Sequence, residues 1–358
     1  MNNEFIQVQK LTVEDYSISS HNLTKLTIFS NIETIGQSLE IIFNDVTDLE
    51  TKLPIKGGET IDMILTDIHR NKYKKTFILT KFLDISNDSE YSQIKKIQAI
   101  SKDAYYLGVK RDYNSYNKTV SEIIKNYGSF KDSNPLLIKE SIIIPGFTYT
   151  KAIQYMIDNF TKAHICFENN TGFVFSNIED LLVQATDEYV FDYDIESYRY
   201  AVLEYNDIKS FDTILEGYNN IYKNTYTTFN PNTKAIESVN KTVQDELENV
   251  TLGTGTNYSA EIYDNINTKN NILPYSTNRL QTSNKYYNMF NKPKELLLNG
   301  DLNIQIGTVI KVGFIERLTN KNDNRLIAGE YLVTKVAHHM TNEDFFTKIE
   351  VQKNNYFK

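Results

Sequence analysis

Residues 58–65 read GETIDMIL, and residues 307–314, near the other end of the chain, read GTVIKVGF. After each glycine, apolar side chains alternate with other residues, the period-two pattern of a strand with one buried face. Two more stretches recur in the same order: FILTKF at 77–82 matches YLVTKV at 331–336, and KIQA at 96–99 matches KIEV at 348–351. The offsets are 249, 254 and 252 residues. Self-similarity at a near-constant offset predicts one β-module present twice, with two unrelated β-regions of similar composition as the alternative.

Other segments near both ends show the same alternation. Leu39, Ile41 and Phe43 predict a strand in the first module. In the second module, residues 302–306 carry apolar side chains at every other position, which predicts a strand that continues past a hairpin or bulge at Gly307.

The pattern becomes helical between the two modules. Thr119 and Glu122 have the spacing of a capping box, and Thr150 is expected to cap a second helix. Residues 164–175, HICFENNTGFVF, predict a hairpin with its turn at Asn169 to Gly172. Residues 231–296 are rich in Asn, Thr, Ser, Lys and Glu and are interpreted as a polar excursion inserted in the second module.

Composition excludes several classes of protein. The 358 residues include 38 Lys+Arg and 46 Asp+Glu, a net charge of −8, which is expected to repel nucleic acid and anionic membranes. Cys166 is the only cysteine, which excludes an intrachain disulfide framework and a cysteine-cluster zinc site. We expect no secretory signal, because the N-terminal MNNEFIQVQK has no positively charged start followed by an apolar stretch. We expect no membrane insertion, because no apolar run approaches the roughly 20 residues of a spanning helix.

One acidic stretch is a candidate cation site. Asp192, Asp194 and Glu196 resemble the start of a calcium loop. An EF-hand needs Gly at its sixth position and Glu at its twelfth, where this chain has Ser197 and Leu203. An acidic, solvated strand is therefore favoured, and a weak cation site stays open.

No other residues form a catalytic or cofactor pattern, so no catalytic residue, cofactor or metal ligand is assigned. His338 and His339 are expected on opposite faces of a strand, where they cannot bind one metal together. Cys166 is interpreted as a buried, inert thiol. The basic run at Lys72, Lys74 and Lys75 is interpreted as a solvated hairpin end, with a phosphate contact as the less favoured alternative.

Three stretches carry a resemblance to a known family: FENNTGFVFSNIEDL at 167–181, EGYNNIYKNTYTT at 216–228, and the C-terminal run 326–353 beginning LIAGEYLVTKVAHH. With the order of the elements across residues 40–353, they resemble the central hub proteins of contractile phage tail baseplates. That family is related to the hub half of type VI secretion spike proteins. Residues 231–296 and the N-terminus depart from the family pattern.

The resemblance implies a mainly β fold with an α+β insert, containing two tail-tube-like antiparallel β-barrels per chain and smaller insert domains. The expected first barrel spans residues 1–105, and a helical and hairpin insert spans 106–193. The second barrel is expected to combine 194–230 with 297–353, and 231–296 is the excursion.

The resemblance also implies a non-enzymatic, structural role. The expected protein is a homotrimer whose six barrels form a pseudo-sixfold ring, which adapts a hexameric tail tube to a trimeric cell-puncturing spike and lets DNA pass. Baseplate wedge proteins are further expected partners, with the tape-measure protein as another candidate. The location implied is the virion tail baseplate, assembled in the host cytoplasm.

The resemblance and the duplication together single out residues for a structural or interface role: Phe167, Glu168, Gly172, Phe173, Phe175, Gly58 and Gly307. We expect the hairpin at Phe173 to Phe175 to bury apolar surface between protomers. The net negative charge suggests an acidic channel that repels passing DNA. Alternative interpretations are the hub of a phage-derived secretion or injection particle, and a β-rich glycan-binding or hydrolytic tail protein.

Overall fold

The structure is a computed structural model of the chain. It describes residues 2–3, 6–46, 49–89, 92–161, 164–182, 187–191, 201–207, 223–230, 235–242, 270–273, 293–314 and 329–353. Within these ranges, no helix is both long and apolar enough to cross a membrane.

The first part of the chain is built from strands that alternate buried and exposed side chains, as their sequence predicts. They are β1 Asn2–Asn3, β2 Ile6–Val13, β3 Tyr16–Ser17, β4 Leu23–Asn31, β5 Ser38–Asp45, β6 Thr60–Asp67, β7 Lys72–Ser89 and β8 Ser92–Ser101, with a short helix α1 Leu49–Lys52. In β6 the alternation is strict, with Ile61, Met63 and Leu65 buried.

A mixed segment of helices and short strands follows. It contains α2 Lys102–Val109, β9 Arg111–Asp112, β10 Ser115–Thr119, α3 Val120–Tyr127, β11 Phe130–Asp132, β12 Lys139–Ile143, β13 Phe147–Thr148, α4 Tyr149–Phe160, β14 His164–Asn169, β15 Gly172–Asn177 and α5 Ile178–Leu181. The predicted capping box is confirmed, since the backbone N–H of Glu122 donates to the Thr119 hydroxyl at 3.1 Å and the Glu122 carboxylate accepts from the Thr119 N–H at 2.9 Å. The predicted hairpin is also confirmed, with Asn169 opposite Gly172.

The remaining strands complete a second β-unit and a small separate sheet. They are β16 Asp187–Phe191, β17 Ala201–Asp207, β18 Lys223–Asn230, β19 Ala235–Thr242, β20 Asn270–Leu273, β21 Pro293–Asn299, β22 Val309–Phe314, β23 Gly329–Thr341 and β24 Phe345–Lys353. β18, β19 and β20 pair with one another.

Among the described residues, a 14-stranded sheet runs through both β-units, so the mainly antiparallel β class is confirmed. Its order is β1-β2-β6-β7-β8-β5-β4-β23-β22-β16-β17-β21-β24, with β3 on β2. β23 also pairs with β24, so the strands of the second unit form a closed ring of pairings. The strands of the first unit form an open series of pairings from β2 to β4. The two units join where β4 pairs with β23.

Three apolar cores follow this division. The first unit has a core around Leu26, Ile41 and Phe77, which also takes in Met340 and Phe345 of the second. The second core, around Leu296 and Tyr331, includes Ile32 of the first unit and Phe167 of the hairpin. The third lies in the mixed segment and joins the helices to the β14–β15 hairpin. The first two cores thus share residues across the junction.

Two local predictions are wrong. Residues 302–306 form turns rather than a strand, because side chains cap their backbone: the Leu302 N–H donates to Asp67 at 3.2 Å, and the Asn303 N–H donates to Asp301 at 2.8 Å. The second helix begins two residues earlier than predicted. Thr148 rather than Thr150 is its N-cap, since Thr148 has extended backbone angles and its hydroxyl accepts from the Lys151 N–H.

Three elements pair or pack differently from the predicted division into domains. α2 spans the limit at 105, and its Ala104 and Leu107 belong to the core of the mixed segment. β16 lies within the predicted insert, 106–193, but pairs with β22 and β17 of the second unit. β18 lies in the segment assigned to the second barrel, 194–230, yet it pairs only with β19 and β20 among the described strands. Sequence alternation does not reveal pairing partners, which explains these differences.

Candidate functional site

The repeated glycines occupy the same backbone position in both units. Gly58 has φ +101° and Gly307 has φ +78°, conformations that L side chains rarely adopt. The N–H of Gly58 donates to the Leu79 carbonyl at 2.9 Å, and that of Gly307 donates to the Val333 carbonyl at 2.9 Å. Because Leu79 and Val333 are also aligned in the sequence repeat, the same turn opens the same strand pair twice.

A bulge is repeated just beyond that turn. In β7 the pairing with β8 shifts between Leu79 and Lys81, and in β23 the pairing with β24 shifts between Val333 and Lys335. The residue skipped is a threonine in both copies. Thr80 donates its hydroxyl proton to the Gln98 carbonyl at 2.9 Å, and Thr334 donates to the Glu350 carbonyl at 3.0 Å. The strand correspondence predicted from the sequence is confirmed residue by residue.

The junction between the units is an antiparallel pairing of β4 with the second half of β23. It runs from Lys335 opposite Asn31 to Thr341 opposite Lys25. On the polar face, the Thr27 hydroxyl and His339 Nδ1 lie 3.2 Å apart. Burial, helped by the charges of Lys25 and Lys348, lowers the pKa of His339, so its ring is neutral near pH 7. The junction is therefore a continuous sheet with an uncharged centre.

One face of this joined sheet is polar and carries a repeated ion pair. Lys96 on β8 contacts Glu40 on β5 at 2.6 Å, and Lys348 on β24 contacts Glu295 on β21 at 2.8 Å. The two pairs are equivalent, since Glu40 lies opposite Gln98 and Glu295 opposite Glu350, the residues that align in the repeat. Cross-strand pairs of opposite charge stabilise a sheet and hold its register.

Lysines and glutamates pair repeatedly on this face. Lys335 contacts Glu350 at 2.8 Å, which adds a third cross-strand pair. Partial burial acts to raise the pKa of Glu40, but the hydrogen bond and charge of Lys96, with the charge of Lys25, hold it below its ordinary value. The expected acidic surface does not describe this face, because its glutamates are matched by lysines on neighbouring strands.

A buried polar network fastens the hairpin to the first unit. Lys75 Nζ lies 2.7 Å from Glu168 Oε1, and the side chains are 12% and 1% exposed. The other Glu168 oxygen accepts from the Gln37 N–H at 3.1 Å and from the Ser101 hydroxyl. Burial lowers the pKa of Lys75, while the charge of Glu168 acts in the opposite direction. The predicted solvated position of Lys75 is wrong, because Glu168 covers its side chain.

The neighbouring residue fastens the same hairpin to the second unit. Phe167 is fully buried in the second core, and a Cβ atom built on Gly307 would lie 2.4 Å from its Cζ. Adjacent strand residues point to opposite faces, so Phe167 and Glu168 reach different units. At the hairpin turn, Asn170 donates to the Leu302 carbonyl at 3.1 Å and accepts from Gln37 at 3.1 Å. The β14–β15 hairpin, residues 164–177, is thus wedged between the two repeats.

The other predicted hairpin residues lie inside the chain or at its turn. Phe173 stacks on Phe130 with ring centroids 5.0 Å apart, and Phe175 is fully buried in the core of the mixed segment. Since these side chains are already covered within the chain, they do not offer the expected apolar surface between protomers. Gly172 takes φ +133° at the hairpin turn. Gly58 has open space around it, unlike Gly307.

Among the described ranges, no group of three or more His, Cys, Asp or Glu side chains could hold a metal ion. The acidic stretch at Asp192, Asp194 and Glu196 lies outside the described residues. Cys166 is buried, and burial raises the pKa of its thiol, as expected for an inert cysteine. His338 is buried against Thr347 and His339 contacts Thr27, which confirms their opposite faces.

Comparison with known proteins adds a finding on the fold. No protein-family model matches the chain, and no curated protein matches its sequence. Among solved structures, a tail protein from Neisseria meningitidis MC58 superposes with a TM-score of 0.64 at 11% identity, covering 98% of this chain and 97% of that one. The 43 kDa tail protein of prophage MuSo2 from Shewanella oneidensis gives a TM-score of 0.63 at 12% identity, covering 98% and 99%.

This chain has the tail-protein fold. A third structure extends the similarity: the E. coli c3393 protein, described as a type VI secretion component similar to the T4 tail proteins gp27 and gp5, gives a TM-score of 0.53 at 10% identity. That match covers 99% of this chain and 78% of the other. The resemblance drawn from the sequence is confirmed at the level of the fold. The sequence pattern predicted the repeated glycines and the hairpin, but it did not indicate the buried contact of Lys75 with Glu168, the role of Gln37 or the β4–β23 junction.

Proposed function

We propose that this protein is a structural component of a contractile tail, the trimeric central hub of its baseplate. The observation that carries the proposal is the repeat: two units with the same turn, bulge and ion pair stand side by side in one sheet. Three chains would supply six such units, a number that matches a hexameric tube on one face. Because the two units are similar but not identical, the assembly keeps threefold symmetry for a trimeric spike on the other face.

In this proposal each unit acts as a tail-tube-like barrel, and the polar face of the joined sheet lines the channel. A lining of paired lysines and glutamates offers few free cations to a DNA backbone. Tight phosphate binding depends on lysine and arginine charges that displace counterions, so a balanced surface lets DNA pass without retention. Balanced charge takes the place of the acidic channel that net charge suggested.

The wedged hairpin gives the hub its rigidity. Phe167 and Glu168 lock the two units at a fixed mutual position, as an adaptor between two symmetries requires. The proposed partners are a trimeric cell-puncturing spike, a hexameric tube protein and the baseplate wedge proteins, with the tape-measure protein as a further candidate. The proposed location is the tail baseplate of a virion assembled in the host cytoplasm. No enzymatic step is part of the proposal.

The test is the mass and shape of the purified full-length chain. Light scattering is expected to give three times the 41.5 kDa of one chain, and negative-stain class averages are expected to show a ring with six lobes around a pore. The spike protein is added if the chain alone is monomeric. A well-folded monomer that stays monomeric with the spike present, or a trimer without a pore, would contradict the proposal.

The fold of the E. coli type VI component favours one second candidate, the hub of a phage-derived secretion or injection particle. Both candidates use the same ring and differ in what passes through it. Particles purified from the producing cells separate them: packaged DNA and a capsid support the virion, and sheathed tails without DNA support the injection particle.

A further inference from the structure

The buried network around Lys75 brings together the three groups of an amide-forming reaction. Lys75 Nζ lies 2.6 Å from the side-chain carbonyl oxygen of Gln37 and 2.7 Å from Oε1 of Glu168. An amine, a carboxamide and a carboxylate are therefore in contact. Gln37 and Glu168 are both almost fully buried, so bulk water has little access to these groups.

The carboxamide of Gln37 is held in place by hydrogen bonds at both ends. Its Oε1 accepts from the Tyr73 hydroxyl at 2.9 Å, and its Nε2 donates to Ser30 at 2.7 Å and to Asn170 at 3.1 Å. Burial raises the pKa of Tyr73 well above its ordinary value, so this hydroxyl keeps its proton and remains a donor. A donor on the carbonyl oxygen stabilises the negative charge that develops there when a nucleophile attacks the carbonyl carbon.

The lysine lies close to the carbon atom that it would attack. The C=O bond is about 1.2 Å long, so the contact of 2.6 Å with Oε1 leaves Lys75 Nζ within about 4 Å of Gln37 Cδ. Reacting atoms start about 3–3.5 Å apart, a difference that a rotation within the lysine side chain covers. Burial lowers the pKa of Lys75, which favours the neutral, nucleophilic amine, and Glu168 is in place to take its proton.

We propose that Lys75 and Gln37 form an intramolecular isopeptide bond, with Glu168 carrying the protons. Lys75 first gives one ammonium proton to Glu168. The Nζ electron pair then forms a bond to Cδ of Gln37, and the C=O electrons move onto Oε1, next to the Tyr73 hydroxyl.

The second half of the reaction releases ammonia. As the C=O bond forms again, the bond between Cδ and Nε2 of Gln37 breaks and Nε2 takes the proton held by Glu168. Glu168 then takes a second proton from Nζ and passes it to the departing ammonia. The products are one Nζ–Cδ amide and one ammonium ion, with Glu168 ionised again. The reaction consumes no oxidant, reductant or second molecule.

The bond would join β7 to the residue before β5, two positions 38 residues apart in the sequence. A cross-link of this kind restricts the unfolded chain, as a disulfide over a similar loop does. In the repeat that aligns Phe77 with Tyr331, Gly329 takes the place of Lys75, so the second unit has no equivalent lysine. The bond is thus a property of the first unit alone, and it does not depend on the proposed hub function.

The test is the intact mass of the purified full-length chain, measured by mass spectrometry after denaturation. We expect a mass lower than that of the sequence by one ammonia, and a proteolytic digest that contains a branched peptide joining Lys75 to Gln37. A full mass after prolonged incubation at neutral pH would overturn the proposal. A deficit that fragmentation locates at Asn299–Gly300, where an asparagine before glycine loses ammonia by cyclising, would overturn it as well.

Variants assign the roles of the three groups. Lys75→Arg keeps the positive charge but lacks the amine, and it is expected to have the full mass. The matched control is Lys335→Arg, which changes another lysine paired with a glutamate and is expected to keep the deficit. A deficit that persists in Lys75→Arg would refute the bond.

The role of Glu168 is tested by the rate at which freshly made protein loses ammonia. Glu168→Gln cannot accept the lysine proton, so we expect bond formation to slow by at least about a hundredfold. Circular dichroism checks that the variant is folded, and Glu168→Asp, which keeps a carboxylate and is expected to react more slowly than the unmodified chain, replaces it if it is not. An unchanged rate in the folded variant would exclude Glu168 as the proton carrier.

Discussion

Replacing Gly307 by alanine tests whether the hairpin is held between the repeats by close packing. Gly307 and Gly58 share a left-handed backbone and the same hydrogen bond, but only Gly307 touches another element. A Cβ atom at Gly307 would lie 2.4 Å from Cζ and 2.9 Å from Cε2 of Phe167, whereas nothing lies within 4 Å of one at Gly58. Gly307→Ala and Gly58→Ala therefore share the backbone strain and differ in the steric clash with Phe167.

The expected magnitudes follow from that difference. A positive φ costs an alanine about 1–2 kcal/mol, so Gly58→Ala is expected to lower the free energy of unfolding by that amount. Gly307→Ala carries the same strain and also forces a fully buried ring to move, which adds about 1–3 kcal/mol of overpacking. The Phe167→Leu substitution removes the ring edge, so the double variant Gly307→Ala/Phe167→Leu is expected to lose less than the sum of the single variants.

Urea unfolding followed by circular dichroism measures these values at one protein concentration, because association would shift the midpoint. A decrease for Gly307→Ala that equals the decrease for Gly58→Ala would refute the packing of Phe167 against this glycine. Strict additivity in the double variant would refute it as well.

Three further predictions concern charge. Burial lowers the pKa of His338 from its ordinary value of 6.5 to about 4, so between these pH values the unfolded chain binds a proton that the folded chain does not. The free energy of unfolding should therefore fall by about 3 kcal/mol as the pH drops from 6.5 to 4. Urea midpoints measured across that range should fall less steeply for His338→Gln. Glu168→Gln leaves Lys75 buried without its ion-pair partner and should cost about 3 kcal/mol in urea unfolding, with partial recovery on adding Lys75→Met. No recovery would mean that the charge pair does not fasten the hairpin. The charge reversal Lys96→Glu should lower the free energy of unfolding by under about 1 kcal/mol, and adding Glu40→Lys should restore it in low salt. Equal urea midpoints for the single and double reversals would contradict the pairing.

The ion pairs on the polar face constrain how that face can be altered. Lys96 and Lys348 each contact a glutamate across a strand, so removing one of these glutamates leaves an unpaired cation on the face. Because equivalent pairs occur in both units, the same constraint applies twice in one chain. The stability of the sheet therefore limits which charges this face can carry.

Local sequence determined the repeated strands, the capped helix α3 and the hairpin, because each depends on interactions among residues close along the chain. Alternation placed Ile61 and Ile310 on buried faces, and the glycines marked turns that only a positive φ can form. The tertiary structure alone decided where distant segments meet. Nothing in Lys75 or its neighbours indicates that Glu168 will cover it, and the alternation at residues 302–306 resembles a strand until Asp67 caps its backbone. Strand pairing between β4 and β23 joins residues about 310 apart, and such contacts follow from packing rather than from any local pattern.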